Sequence, residues 1–211
     1  MIMTIEYILL LLLLVVISSS LSILSDSLTF KRYMTESSIL IESGSYLGNG
    51  IQIALDCGYQ HVYSVELAQH YYELCQNRFS DKKDKVHLYI GDSGNKFQDI
   101  LASIDSQVVF WLDGHYSGGD TAKGIENSPL LRELDTISKH HIKNHTMLID
   151  DIRQFSTEDF DYLTLADVMK RILDINPSYV FTLEHGYVQY DILVAHVVNK
   201  GIESSKECKV Q

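Results

Sequence analysis

The fold of this chain turns on Leu40-Ile41-Glu42-Ser43-Gly44-Ser45-Tyr46-Leu47-Gly48-Asn49-Gly50 and on the residues after it as far as Glu66. Ile39, Leu40 and Ile41 form a short apolar, partly β-branched run, the pattern of a buried strand. The run leads straight into three glycines, Gly44, Gly48 and Gly50. After them Ile51, Ile53, Ala54 and Leu55 start a helical pattern that stops at Gly58. His61 to Val65 is a second apolar strand, and it ends on the acid Glu66. Strand, glycine turn, helix, strand and acid is the order of a nucleotide-binding βαβ unit. The glycines let backbone approach a ligand, the helix N-terminus offers N–H groups, and the acid accepts ribose hydroxyls.

Outward from this unit, strands and helices alternate. The patterns predict strands at 38–42, 61–66, 86–90, 108–112 and 146–149, and two late ones at 179–183 and 188–198. Between them, helices are predicted at 48–57, 69–79, from Ser93 to about 104, at 129–139 and at 163–173. Continuous apolar strands between helices imply an α/β fold. The expected architecture is Rossmann-like and doubly wound, a mostly parallel seven-stranded sheet with helices on both faces. In such sheets ligands bind beyond the carboxyl ends of the strands. The residues just past the first five strands are Glu42, Glu66, Asp92, Asp113 and the pair Asp150-Asp151. One acid at a strand end is ordinarily a cap or turn residue. Five in succession predict a shared acidic rim, suited to a cation, a ribose or a divalent metal.

The 211 residues, 45% apolar and 21% charged, suffice for one domain with a full core. A formal net charge of −11, with Lys31-Arg32 and Lys82-Lys83 as isolated basic pairs, argues against a nucleic-acid surface. Three cysteines make neither a disulfide framework nor a paired CxxC spacing. Residues 8–17 are unbroken apolar and are followed by Ser18-Ser19-Ser20-Leu21-Ser22. That length suits a signal-peptide core; extended through Leu24 it suits a single anchor, and a hydrophobic helix packed on the domain is the third reading. The expected division is therefore a hydrophobic segment over 1–28, with membrane association through residues 5–24, and a catalytic domain over 29–211. The expected location is membrane-associated or secretory, and cytoplasmic if the segment packs on the domain.

These motifs resemble those of class I S-adenosylmethionine-dependent methyltransferases. Glu42-Ser43-Gly44 through Gly50 is similar to the family's glycine-rich motif, Glu66 to its ribose-binding acid, and Gly91-Asp92-Ser93 to its adenine-side motif. Phe110-Trp111-Leu112-Asp113-Gly114-His115, with Leu148-Ile149-Asp150-Asp151, resembles an Asp-Gly-His type related to metal-dependent sugar O-methyltransferases. The resemblance covers residues 38–198. It implies S-adenosylmethionine (SAM) held by Glu42, Gly44, Ser45, Tyr46, Gly48, Gly50, Glu66, Asp92, Ser93 and Asp113. It also implies Mg²⁺ held by Asp113, Asp150 and Asp151, and a small-molecule or glycan acceptor. Tyr46-Leu47 departs from the usual tighter Gly-x-Gly. His115, two residues past Asp113, is the candidate general base; its other reading is a loop histidine bonded to backbone. The glycines from Gly114 to Gly124 are those of a lid. Two further readings stand beside the O-methyltransferase: a nicotinamide-dependent oxidoreductase, which lacks a Tyr-x-x-x-Lys pair here, and a non-catalytic binding protein with this fold.

Overall fold

The decisive stretch forms the centre of a seven-stranded sheet. In a computed structural model, which describes residues 26–116, 118, 119 and 121–198, β1 (Ile39–Ser43) pairs in parallel with β2 (His61–Glu66) on one side and β4 (Val109–Leu112) on the other. Parallel pairing continues outward to β3 (Val86–Ile90) and β5 (Thr146–Ile149). The far edge is β6 (Tyr179–Glu184), with β7 (Ile192–Val197) inserted antiparallel between β5 and β6. The order is β3-β2-β1-β4-β5-β7-β6. The sheet is thus mixed: β7 alone runs backwards, because the short turn 185–191 returns the chain as a hairpin and leaves no crossover helix.

Alternate residues of β1 feed opposite cores. Leu40 joins Phe30, Ile51, Tyr59, Val62 and Trp111 on one face, while Ile41 joins Phe97, Phe110, Leu134 and Ile172 on the other. The first face is covered by α1 (residues 26–32), α2 (Asn49–Cys57) and α3 (Gln69–Arg78). The second is covered by α4 (Ser93–Leu101), α5 (Leu130–Lys139) and α6 (Leu165–Ile175). Leu130, Leu134 and Ile137 bury one stripe of α5 at helical spacing, and Thr164 caps α6 through a capping box with Asp167. Helices therefore lie on both faces, as the alternation implies.

Three boundaries differ from the sequence reading. The core begins before Ser38: Phe30 is fully buried, its ring edge-on to Trp111 at 5.0 Å, and its carbonyl accepts a hydrogen bond from Tyr59 Oη at 3.0 Å. The last strand starts at Ile192 rather than 188, because Tyr190 takes φ +61° inside the turn. Two 3₁₀ turns, Ile152–Gln154 and Glu158–Phe160, precede α6, with Ser156, Asp161 and Tyr162 at positive φ. Residues 1–25, with the apolar run, lie outside the described residues. Among those described, no helix is long and apolar enough to cross a membrane.

At the amino ends of the strands two buried histidines form a chain. Val108 N–H donates to His145 Nδ1 at 3.1 Å, which puts the His145 proton on Nε2. That nitrogen lies 2.8 Å from His140 Nδ1, and His140 Nε2 lies 3.0 Å from the Ile104 carbonyl. Both rings are thereby fixed in their neutral tautomers. Burial and the neighbouring His140 push His145 down to about 3.

Candidate active site

The carboxyl ends of the strands open into two adjoining hollows. The first, of about 430 Å³, is lined by residues that include Tyr46, Glu66, Leu67, Asp92, Asp113 and His115. The second, of about 310 Å³, is lined by residues that include Asp26, Phe30, Glu42, Asp113, Asp150 and Tyr187. Gly44, Tyr46 and Asp113 line both. The expected rim is present but divided. Glu66 and Asp92 face one hollow, Glu42 and Asp150 the other, and Asp113 stands between them.

The glycine turn is held by its neighbours. Gly44 takes φ +83°, and a Cβ there would lie 2.7 Å from the Asp113 carbonyl oxygen. A side chain at this position would force the loops after β1 and β4 apart. Tyr46, at φ +44°, donates its N–H to Glu66 Oε2 at 2.8 Å, and Ala68 N–H donates to Glu66 Oε1 at 2.7 Å. Glu66 therefore fixes the turn while it lines the first hollow. Each of its oxygens retains a second lone pair for a ligand hydroxyl.

Ser45, Gly48 and Gly50 act behind the turn. Ser45 Oγ lies 2.6 Å from Ser64 Oγ, which donates to Glu42 Oε2 at 2.5 Å. A Cβ on Gly50 would lie 1.9 Å from Glu42 Oε1, so only glycine leaves room for that carboxylate. Gly48, at φ +78°, caps α2. Ser45 and Gly50 border the second hollow.

Asp92 and Ser93 line the first hollow, yet their side chains are held by α5. Arg132 clamps Asp92 in a bidentate pair at 2.6 and 2.7 Å, holding its carboxyl below the usual range. Ser93 Oγ donates to buried Glu133 at 2.5 Å. Arg132 was not legible in the sequence, because only the packing of α4 on α5 brings it there.

His115 sits between two acids. Its Nε2 lies 3.3 Å from Asp151 Oδ2 and its Nδ1 3.7 Å from Asp113 Oδ1, while its ring stacks on Phe160 at 4.7 Å. Burial lowers its pKa, against a smaller opposing pull from Asp151. Asp113, His115 and Asp151 offer ligand atoms within 4.8 Å of one another, and so do Asp150, Asp151 and Asp191. The structure thus brings Asp113 and Asp150 each to Asp151, in two sets that share it. Arg153 pairs with both Asp151 and Asp191.

Burial and mutual repulsion hold Asp113 and Asp150 well above the ordinary carboxylate range. Burial pushes Glu42 to about 8 and Asp26 to about 7. Hard oxygen donors in a group that resists carrying its own charge fit a dication such as Mg²⁺. Sequence reasoning missed Asp191 and Asp26. Asp191 immediately precedes an antiparallel strand, which delivers an acid to the same end as the parallel strands' carboxyl termini; that signal was hidden by starting the strand at 188. Asp26 depends on how α1 docks and had no sequence signal.

The loop from Gly114 to Ser128 roofs the first hollow. Tyr116 N–H donates to the Asn127 carbonyl at 2.7 Å, and Asp161 Oδ2 accepts from the Asn127 and Ser128 amides. Ser117 and Asp120 of this loop lie outside the described residues.

No protein family matches the sequence, and no curated protein does. Solved structures do. The O-methyltransferase from Bacillus cereus in complex with SAH has a TM-score of 0.54 at 12% identity, with 82% of this chain and 79% of that one covered. SAH-bound PaMTH1 from Podospora anserina has 0.54 at 12%, covering 82% and 76%. An rRNA methylase from Streptococcus thermophilus has 0.53 at 13%, covering 84% and 97%. The chain has the fold these class I methyltransferases share.

Proposed function

We propose that this chain is a SAM-dependent methyltransferase that methylates a hydroxyl on a sugar or glycan with help from a divalent metal. The observation that carries the reading is Glu66. It is a buried carboxylate at the end of β2, braced by Tyr46 and Ala68 amides, on a hollow of about 430 Å³. That volume lies within the range of cofactor sites, and SAH-bound neighbours share the fold.

SAM, when bound, supplies an electrophilic methyl group on a sulfonium. Glu66 accepts the ribose hydroxyls, Leu67 offers an apolar contact beside it, and Asp113 borders the same hollow. Holding acceptor, methyl carbon and sulfur in line contributes about 7–11 kcal/mol. His115, kept neutral by burial, takes the acceptor proton between Asp113 and Asp151. Mg²⁺ would be held through Asp151, with Asp150 and Asp191 in one set and Asp113 in the other, and would lower the pKa of a hydroxyl bound to it.

An RNA acceptor is disfavoured by the net charge of −11. Calorimetric titration with SAM and with NAD separates the methyltransferase from the oxidoreductase: SAM is expected to bind, and binding of NAD alone overturns the reading. Turnover on a glycan panel, with and without chelator, tests the rest. Activity that survives chelation removes the metal from the proposal, and no turnover on any acceptor favours the non-catalytic alternative.

A further inference from the structure

Exposed apolar side chains on this protein gather at the end of the sheet that carries the hollows. Ile125, 87% exposed, lies in the loop after β4. Tyr187 and Tyr190 are exposed in the turn between β6 and β7, and Leu47 and Leu67 follow β1 and β2. Leu28, 57% exposed, lies in α1 close to Asp26. The loops at the opposite end (34–38, 58–60, 79–85, 102–108, 140–145 and 176–178) expose no large apolar side chain, and Val198, just past β7, is the one exposed there among the described residues at the strand ends.

A second, independent feature points the same way. Twenty-five residues precede Asp26, and 8–17 among them are unbroken apolar. Asp26 itself lines the second hollow. The described chain therefore begins beside the mouth of the site, not at its back. Apolar and aromatic side chains ringing a polar opening are the pattern of a surface that meets a lipid interface. The charge of the chain selects the kind of interface. With a net charge of −11 and acids within both hollows, an anionic surface repels this end and a zwitterionic one does not.

We propose that the end bearing the hollows seats on a zwitterionic lipid surface, held by its apolar rim and by residues 8–17, and that the acceptor hydroxyl is carried on a glycolipid head group in that surface. The acceptor half rests on the methyltransferase reading above; the seating half does not.

The test uses the full chain and phosphatidylcholine vesicles that carry monogalactosyl diacylglycerol. In flotation, the wild type is expected to rise with the vesicles. The variant Leu28→Ser/Ile125→Ser/Tyr190→Ser, whose positions line neither hollow, is expected to lose about tenfold in bound fraction at equal lipid. Its SAM affinity by calorimetry is expected to be unchanged, which rules out misfolding as the cause. A wild type that stays with the soluble fraction, or a variant that floats equally well, overturns the seating. In the second arm, labelled methyl from SAM is followed into the vesicle galactolipid and into soluble methyl galactoside at equal concentration. Transfer at least about tenfold faster to the vesicle-borne sugar supports the lipid acceptor; equal rates, or transfer to neither, overturn it. Flotation without any SAM binding overturns the methyltransferase reading and its acceptor, while supporting the seating.

Discussion

Two polar clusters sit at opposite ends of the same sheet and are built in opposite ways. At the amino ends, His140 and His145 pass hydrogen bonds from the Val108 amide to the Ile104 carbonyl, and each ring nitrogen has its partner. At the carboxyl ends, Asp26, Glu42, Asp113 and Asp150 surround a hollow and are all pushed upward by burial and by neighbouring carboxylates, Asp113 and Asp150 by members of the group itself. The first cluster is complete within the protein. The second keeps its acids crowded and raised in pKa, and a bound cation would relieve them. Burial alone does not mark a site; burial with unrelieved like charge does.

The sharpest way to break this contrast is to remove one acid. Asp150→Asn is expected to lower Mg²⁺-dependent turnover by about 100-fold or more and to leave SAM affinity measured without Mg²⁺ unchanged; kinetics across a Mg²⁺ titration, alongside metal-free calorimetry, measure both. Retained metal dependence would mean that the acids are merely tolerated. Glu66→Ala removes the acceptor for the Tyr46 and Ala68 amides and the expected ribose ligand. SAM binding is expected to weaken by about 10- to 100-fold, and unchanged affinity in calorimetry counts against the cofactor assignment.

The pH dependence of stability sharpens the comparison, because the two clusters act with opposite sign. Glu42, raised to about 8, keeps its proton in the folded state over a range where the unfolded chain has lost it. Its contribution therefore grows as pH falls from 8 toward 4.5. His145, lowered to about 3, stays neutral where the unfolded chain takes up a proton, so its contribution shrinks as pH falls below 6.5. Between pH 6.5 and 5, urea unfolding without added dication should show the wild type gaining about 2 kcal/mol relative to Glu42→Gln. Over the same range it should lose about 2 kcal/mol relative to His145→Asn. Difference curves of one sign would erase the contrast. The smallest effect belongs to a surface pair outside both clusters: Arg32→Ala, which leaves Glu184 with the Tyr33 hydroxyl as donor, is expected to cost less than about 1 kcal/mol in the same assay.

The sheet was largely legible because its strands are short apolar runs that end on acids. β2, β3 and β5 match their sequence reading to the residue, and Glu66 and Asp113 stand where the strand-end rule puts them. What escaped depends on contacts between distant segments. Asp191 reaches the site only because β7 reverses, and Asp26 only because Phe30 is driven between Tyr59 and Trp111. Arg132 and Arg153 find their acids across helix and turn packing that no local pattern encodes. The glycines were read as ligand contacts, but Gly50 is required by the volume of Glu42.

Gly44 presses its bare α-carbon side against the Asp113 carbonyl, so the loop after β1 and the loop after β4 cannot shift independently. If one loop receives the methyl donor and the other the dication, occupancy at either place biases the other. Thermodynamic reciprocity then requires each guest to change the other's affinity by the same factor. A single missing side chain would thus make donor and metal load as a coupled pair.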